Sequence, residues 1–287
     1  MSSKSLTSSM VKKYMPVRSS NSRKGDNGKV LVVGGSYIYH GAPILSSLAA
    51  LRTGADLVYT AVPKINAPSS RAISPDLIVI PLADSKLTRG SVNKLLGQIP
   101  AGIDSAAIGM GLAVENIEAL KLLIKSLIER DVRISLDASA LRKEILPIIK
   151  GKNVVVTPHA GEFERLFGEK IPTGNKTKIS IVEKHAKKNS IVILLKGESD
   201  IITNGKQTLV YSKKTPGMTV GGTGDVLSGI LASVLSQNRN TLESAACAAF
   251  LNGEAGKLVH KQFGSRMIAS DLIDALPLIS KPFDKIK

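Results

Sequence analysis

Short apolar runs alternate with helical stretches along most of the chain from Lys29 onward. The runs are rich in Val and Ile and are apolar at successive positions, as is typical of strands buried on both faces of a parallel sheet. They are residues 30–33, 57–62, 77–81, 106–109, 134–136, 154–156 and 191–195. The helical patterns between them include residues 42–52, 115–130 and 179–188. This alternation predicts a mostly parallel sheet with helices on both faces.

The pattern changes after Lys196. Two short β-prone runs, residues 201–203 and 209–211, flank the dipeptide Asn204-Gly205. Asn-Gly between two such runs is typical of a tight hairpin turn. The sequence therefore predicts a β-hairpin at the C-terminal edge of the sheet.

Two long helices are predicted over residues 223–236 and 242–260, with a shorter one after Ser270. No internal repeat and no linker rich in Pro, Gly or Ser divides residues 25–287. The expected fold is therefore α/β, a three-layer αβα sandwich formed by a single domain.

Composition excludes several classes of protein. Hydrophobic residues make up 43% of the chain and charged residues 22%, which is typical of globular proteins. The most apolar long stretch, residues 215–235, carries Asp225 and five glycines, so we expect neither a membrane span nor a membrane partner. Cys247 is the single cysteine, which excludes an internal disulfide and favours a reducing, cytoplasmic setting.

The net charge of +16 and the pI of about 9.9 raise the question of nucleic-acid binding. The basic residues are spread along the chain, and no zinc-finger, RRM or basic-zipper spacing occurs. We therefore expect no nucleic-acid partner. A positive cleft would instead attract small polyanions such as nucleotides.

Residues 1–24 form a basic, Ser-rich segment with six Lys or Arg and no acidic residue. No apolar signal-peptide core is present, and residues 10–16 could form a short surface helix that ends at Pro16. We interpret the segment as a partly ordered leader. A tail, a subunit contact and a targeting segment remain open as its role.

Function in a parallel sheet usually lies at the carboxyl ends of the strands. Gly34-Gly35-Ser36 and Gly109-Met110-Gly111-Leu112 follow two predicted strands, although glycines also serve simple tight turns. The second motif lacks the third glycine of a dinucleotide fingerprint, and no P-loop motif occurs anywhere. Any nucleotide must therefore be bound by other means.

His159 and Glu162 follow the predicted strand 154–156, just before a helix. The imidazole could bind substrate and the carboxylate could orient Mg²⁺, or the pair could simply be a loop residue and a favourable first-turn acid. A zinc site is not expected, because no third ligand stands at a recognised spacing. His185, within a Lys-rich stretch, is expected on a solvated face.

The strongest signal is Gly221-Gly222-Thr223-Gly224-Asp225 at the start of a predicted helix. Three glycines in four residues allow several backbone N–H groups to face one anion at the positive end of the helix. Asp225 beside such an anion hole could take a proton from an attacking hydroxyl. The alternative is that it only caps the helix.

These motifs resemble the ADP/ATP-dependent NAD(P)H-hydrate dehydratases, a carbohydrate-kinase-like family within the ribokinase-like superfamily. The Gly-Gly-Thr-Gly-Asp turn is similar to the anion hole and catalytic Asp of ribokinase-like enzymes. His159-Ala160-Gly161-Glu162 occupies the place of their metal-orienting motif. The match runs from about Lys24 to Pro277, with Met110 and Asp200 as two departures. The resemblance covers residues 24–36, 39–43, 49–55, 108–112, 156–162, 195–197 and 217–229.

The resemblance implies a role for each matching residue. Asp225 would be catalytic and would also contact the substrate, and Glu162 would bind the metal. The other implied substrate contacts are Ala42, Gly109, Gly111 and His159. The implied nucleotide contacts are Lys196, Gly197, Glu198, Ser199, Asp200, Gly222, Thr223 and Gly224.

The implied reaction repairs hydrated nicotinamide nucleotides. The C6 hydroxyl of (S)-NADHX or NADPHX is phosphorylated by ADP, or by ATP, with Mg²⁺, and phosphate is then eliminated to give NADH or NADPH. With ADP the other products are AMP and phosphate. The resemblance also implies a homo-oligomer, with a tetramer as the first candidate, without the epimerase domain fused to some relatives. The alternatives are a kinase of a small alcohol or vitamin precursor and a nucleotide sensor without turnover.

Overall fold

A ten-stranded sheet forms the centre of the computed structural model, which describes residues 3–212 and 215–287. Residues 1 and 2 of the predicted leader lie outside the described residues. The strands are β1 (Lys4–Ser5), β2 (Lys29–Val33), β3 (Leu57–Pro63), β4 (Ile78–Leu82), β5 (Ser105–Ile108), β6 (Arg133–Leu136), β7 (Val154–Val156), β8 (Val192–Leu195), β9 (Ser199–Thr203) and β10 (Thr208–Ser212).

Eleven α-helices are found among the described residues. They are α1 (Ser8–Tyr14), α2 (Gly41–Arg52), α3 (Ala67–Ile73), α4 (Arg89–Gln98), α5 (Ile117–Glu129), α6 (Leu146–Ile149), α7 (Ala160–Phe167), α8 (Asn175–Asn189), α9 (Thr223–Gln237), α10 (Thr241–Phe263) and α11 (Ala269–Ser280). None of the helices within these ranges has both the length and the apolar character needed to cross a bilayer.

The strand order across the sheet is β1-β10-β9-β8-β7-β6-β5-β2-β3-β4. Neighbouring strands from β4 to β8 are parallel, whereas β9 is antiparallel to both β8 and β10. The predicted parallel sheet and its hairpin are thus confirmed. The hairpin is not the outermost element, because the two-residue strand β1 pairs in parallel with β10.

Helices cover both faces of the sheet because its strands are apolar on both sides. In β2, Leu31 and Val33 belong to the core shared with α4, α5, α7 and α8. Val30 and Val32 point to the other layer, where they pack with Ala50 of α2. Helices α1, α2, α9, α10 and α11 build that second layer. The expected three-layer sandwich is therefore the observed architecture.

Part of the basic N-terminal segment packs onto this sandwich. Leu6, Val11 and Met15 are buried and belong to the core of the second helical layer, beside α10. The helix predicted near residues 10–16 is α1, which ends before Pro16. Its apolar side faces α10, so it is not purely a surface helix.

The expectation for His185 is wrong. The Lys-rich setting of His185 predicts a solvated face, but only 6% of the residue is exposed. Its Nε2 atom lies 2.7 Å from Oε2 of Glu169, and its ring packs against Phe163 and Phe167. The surrounding lysines make the segment look solvated, whereas the residues that cover His185 come from α7 and the loop after it.

Candidate active site

The carboxyl ends of β2, β5, β6, β7 and β8 lie along one edge of the sheet, because these strands are parallel. The residues that follow them are Gly34, Gly109, Asp137, Thr157 and Lys196. Helix α9 begins at the same edge and brings the glycine-rich turn to it. The motifs selected from the sequence therefore meet at one place.

A lysine and two carboxylates form the charged centre of this edge. Lys196 Nζ lies 2.7 Å from Oδ1 of Asp137 and 3.5 Å from Oε2 of Glu162. The other oxygen of Asp137, Oδ2, accepts a hydrogen bond of 2.8 Å from Ser228 Oγ on α9. Burial alone would lower the pKa of Lys196, but the charges of Asp137 and Glu162 outweigh it and raise that pKa. Lys196 therefore remains a cation in its buried position.

Asp225, in the first turn of α9, is close enough to the same charged centre for its charges to affect the pKa of Asp225. Burial, assisted by the negative charges of Asp137 and Glu162, raises the pKa of Asp225 from 3.8 to about 7, while Lys196 opposes the shift. No hydrogen bond contributes to this pKa, and no capping bond to Asp225 is found among the described residues. The side chain is thus a carboxylate with the proton affinity of a base that works near neutral pH.

The turn before α9 leaves an open approach to its first N–H groups. Gly222 has φ of 95°, and a Cβ atom there would lie 2.8 Å from Leu45 and Ala269, so both conformation and packing require glycine. A Cβ atom at Gly224 would lie 3.5 Å from Lys196 Nζ, in ordinary contact. Gly224 therefore leaves free the space between the helix end and the lysine, which suits an anion.

His159 and Glu162 cap the start of α7 together. His159 Nδ1 accepts hydrogen bonds from the N–H groups of Gly161 and Glu162, and Glu162 Oε2 accepts one of 2.9 Å from the N–H of His159. The pair therefore has a structural role at the start of α7, as in the alternative to a functional role that the sequence left open. His159 Nε2 lies 3.5 Å from Oε1 of Glu162, on a side chain that is 61% exposed and can therefore be reached by a ligand.

A cavity of about 610 Å³ opens beside this centre, within the size range of small-molecule sites. Five of the predicted nucleotide residues line it: Lys196, Gly197, Glu198, Thr223 and Gly224. The remaining lining residues are His159, Thr215, Pro216, Met218, Thr219, Leu227 and Asn252. One end of the cavity is therefore cationic and rich in N–H groups, and much of its wall is apolar.

Two predicted nucleotide residues have side chains outside this cavity. Ser199 starts β9 and lines a different surface groove. Asp200 is completely buried, and its Oδ1 accepts a hydrogen bond of 3.1 Å from the N–H of Gly197. The geometry places Asp200 behind the turn that carries Lys196 and Gly197.

Two of the predicted substrate residues, Ala42 and Gly111, lie together at the start of α2. A Cβ atom at Gly111 would lie 3.2 Å from Cβ of Ala42 and 2.8 Å from Cβ of Tyr39. Gly109 has φ of 121°, and a Cβ atom there would lie 2.0 Å from the carbonyl oxygen of Asp137. Gly109 is therefore required structurally, because a side chain at this position would collide with the backbone of Asp137.

Sequence reasoning missed Asp137. Its position after the strand run 134–136 was a usable signal, because a carboxylate at a strand end in a parallel sheet points towards the functional edge. Its partners, Lys196 and Ser228, are 59 and 91 residues away along the chain. Spacing alone could not reveal that pairing.

The fold is that of the ribokinase-like α/β proteins. A ribokinase-like superfamily protein from Enterococcus faecalis has the same fold, with a TM-score of 0.82 at 24% identity over 98% of this chain and 96% of that chain.

Closer similarity identifies the family. A family model for NAD(P)H-hydrate dehydratase matches residues 30–278. An ADP-dependent (S)-NAD(P)H-hydrate dehydratase from Nitrosopumilus maritimus is 63% identical over 287 residues, covering all of both chains. The ADP/ATP-dependent NAD(P)H-hydrate dehydratase from Bacillus subtilis, co-crystallised with ATP/Mg²⁺, has a TM-score of 0.85 at 26% identity and covers 99% of this chain and 100% of its own. The chain belongs to the NAD(P)H-hydrate dehydratase family, which confirms the resemblance found from the motifs.

Proposed function

We propose that this protein converts the (S)-hydrates of NADH and NADPH back to NADH and NADPH, with ADP as the phosphoryl donor. The observation that carries the proposal is Asp225, a carboxylate whose pKa is about 7 at the positive end of α9. The names of relatives 63% and 61% identical to this chain, both ADP-dependent (S)-NAD(P)H-hydrate dehydratases, support the choice of reaction and donor.

The cavity would hold the adenine nucleotide. Its phosphates would lie between Lys196 and the N–H groups at Gly222, Thr223 and Gly224, where a cation and a helix N-terminus act on the same anion. The walls of the cavity beyond this end are largely apolar and would receive the base. Gly197, Glu198, Ser199 and Asp200 belong to this site in the proposal, the last two by supporting the turn.

The hydrated nicotinamide would bind on the other side of Asp225, near Ala42, Gly111 and Gly109, with His159 Nε2 as a further contact. Asp225 takes the proton of the C6 hydroxyl while that oxygen attacks the terminal phosphorus of ADP. The bond between that phosphorus and the bridging oxygen breaks, and AMP leaves. The ring nitrogen then donates its electron pair, the C6–O bond breaks, phosphate departs, and loss of a C5 proton restores the ring double bond.

The residues also fit a Mg²⁺ ion that arrives with the nucleotide. Within the described residues, no group of three His, Cys, Asp or Glu side chains is arranged to hold a metal by itself. Mg²⁺ commonly relies on one or two carboxylates together with substrate phosphates and water. Glu162, with Asp137 beside it, would supply those carboxylate oxygens. When bound, the ion neutralises charge that develops on the transferred phosphoryl group.

The test uses purified protein, the hydrate of NADH, Mg²⁺ and either ADP or ATP. We expect the dihydronicotinamide absorbance to return with ADP and AMP to appear in equal amount. A stable phosphorylated product without restored absorbance would indicate a small-alcohol kinase. Nucleotide binding with no product of either kind would indicate a sensor.

The proposal extends to the setting of the protein. A cytoplasmic homo-oligomer, with four subunits as the first candidate, fits the family resemblance. Sedimentation of the purified chain and fractionation of cells test these two points separately from the reaction.

A further inference from the structure

Asn252 is a buried polar residue on the wall of the nucleotide cavity. It lies on α10 and is only 2% exposed. Close packing holds α10 in the turn that follows Asn252. A Cβ atom at Gly253 would lie 2.3 Å from the ring of Tyr211, and one at Gly256 would lie 2.2 Å from Sδ of Met218. The amide is therefore held at a defined place and cannot turn away to solvent by a shift of α10.

The Oδ1 atom of Asn252 has no hydrogen-bond partner among the described residues. Buried polar atoms are almost always paired, and an unpaired one calls for a specific explanation. The terminal torsion of Asn is broad, and the amide oxygen and nitrogen are nearly equal in size. Rotation of the amide can therefore present an acceptor or a donor to the cavity. A ligand that enters the cavity can supply the partner that Oδ1 lacks.

The position of Asn252 indicates which part of a nucleotide it would meet. Lys196 and Gly224 mark the end of the cavity that suits phosphate. Asn252 belongs to the apolar side, where Met218 contacts α10 one turn further along and Leu227 follows Gly224 by nearly one turn of α9. An apolar slot with a single amide suits a planar base, whose faces are apolar and whose edge carries polar groups.

We propose that the Asn252 amide accepts a hydrogen bond from the 6-amino group of adenine and so selects an adenine nucleotide. This inference rests on the proposed nucleotide site. It concerns binding, so it can be measured without any turnover of the nicotinamide substrate. A result on binding thus stays separate from a failure of the proposed reaction.

The experiment is calorimetric titration of the full chain with ADP and with purine riboside 5′-diphosphate, which lacks only the 6-amino group. The wild-type protein should bind the analogue roughly fivefold to tenfold more weakly, the effect of one neutral hydrogen bond. N252L should bind ADP more weakly by a similar factor and should no longer distinguish the two nucleotides. N252A serves the same purpose if N252L does not fold.

S233A is the matched control, because Ser233 Oγ is also buried without a partner among the described residues but lies on α9 outside the cavity lining. Its preference for ADP should equal that of the wild type. Titration with 2′-deoxy-ADP separates base recognition from ribose recognition. If the Asn252 variants keep the preference for ADP over the analogue, or lose instead the preference for ADP over 2′-deoxy-ADP, the proposal is overturned.

Discussion

Replacement of Asp225 by Asn should abolish most turnover and at the same time stabilise the protein. The change keeps the shape of the side chain and removes the oxygen that accepts the proton. A positioned general base contributes roughly 10²–10⁴-fold, so turnover should fall by that factor. ADP binding should survive, because the backbone N–H groups of the glycine-rich turn are unaltered.

The gain in stability follows from the pKa of Asp225, which rises from 3.8 for a free aspartate side chain to about 7 in the folded protein. Between these values the unfolded chain releases the proton and the folded chain retains it, so the free energy of unfolding falls as pH rises through this window. The decrease in the free energy of unfolding is complete above about pH 7 and amounts to at most roughly 4 kcal/mol, at 1.36 kcal/mol per pKa unit. Asn carries no charge at any pH, so the variant does not undergo this decrease.

The assay is thermal unfolding of both proteins at pH 4 and pH 8, beside turnover at pH 8. The variant should melt a few degrees higher than the wild type at pH 8 and nearly together with it at pH 4. E243Q is the matched control, because Glu243 occupies the same first-turn position of α10 that Asp225 occupies in α9, away from the cavity. If D225N kept near-normal turnover, and D225N and E243Q had similar melting temperatures and turnover, Asp225 would be only a first-turn acid.

Three further predictions concern the charged centre, the glycine-rich turn and the N-terminal segment. K196Q removes the cation that lowers the pKa of Asp225, so the acidic limb of the pH–rate profile should move to higher pH; an unchanged limb would contradict the coupling. G224A should fold normally, since its new methyl group meets atoms at 3.5 Å and 3.9 Å, but its Km for ADP should rise at least roughly tenfold as the methyl group enters the anion space. Deletion of residues 1–15 removes three buried side chains and should lower the melting temperature by several degrees, whereas an unchanged melting temperature would contradict their packing role.

The sequence predicts the sheet well because its central strands are buried on both faces. Continuous apolar runs such as residues 30–33 and 154–156 leave little choice of structure, and β2 and β7 appear there. Strand β1 could not be predicted, because Lys4 and Ser5 carry no β signal and gain their order from pairing with β10. Tertiary contact, not local preference, decides that element.

The candidate site also contains residues that local sequence predicts and residues that only tertiary contacts reveal. Gly222, Gly224 and Asp225 stand in one local motif whose purpose can be read from the turn that it forms. The partners of Asp137, Lys196 and Ser228, are far away in the chain. Asn252 lines a cavity whose other lining residues lie outside α10, so its place there is visible only when burial and neighbours are known. Neither carries a distinctive spacing of its own.

The most direct test of the account follows the oxygen atom of the C6 hydroxyl. NADH hydrated in ¹⁸O-water carries the label at that position, and the reaction is run in ordinary water with ADP and Mg²⁺. The account predicts that the label leaves in inorganic phosphate, one ¹⁸O per phosphate and one phosphate per NADH, as measured by mass spectrometry. Unlabelled phosphate together with restored NADH would mean that the hydroxyl leaves as water without phosphorylation, and would contradict the assignment of Asp225 as the base that starts phosphoryl transfer.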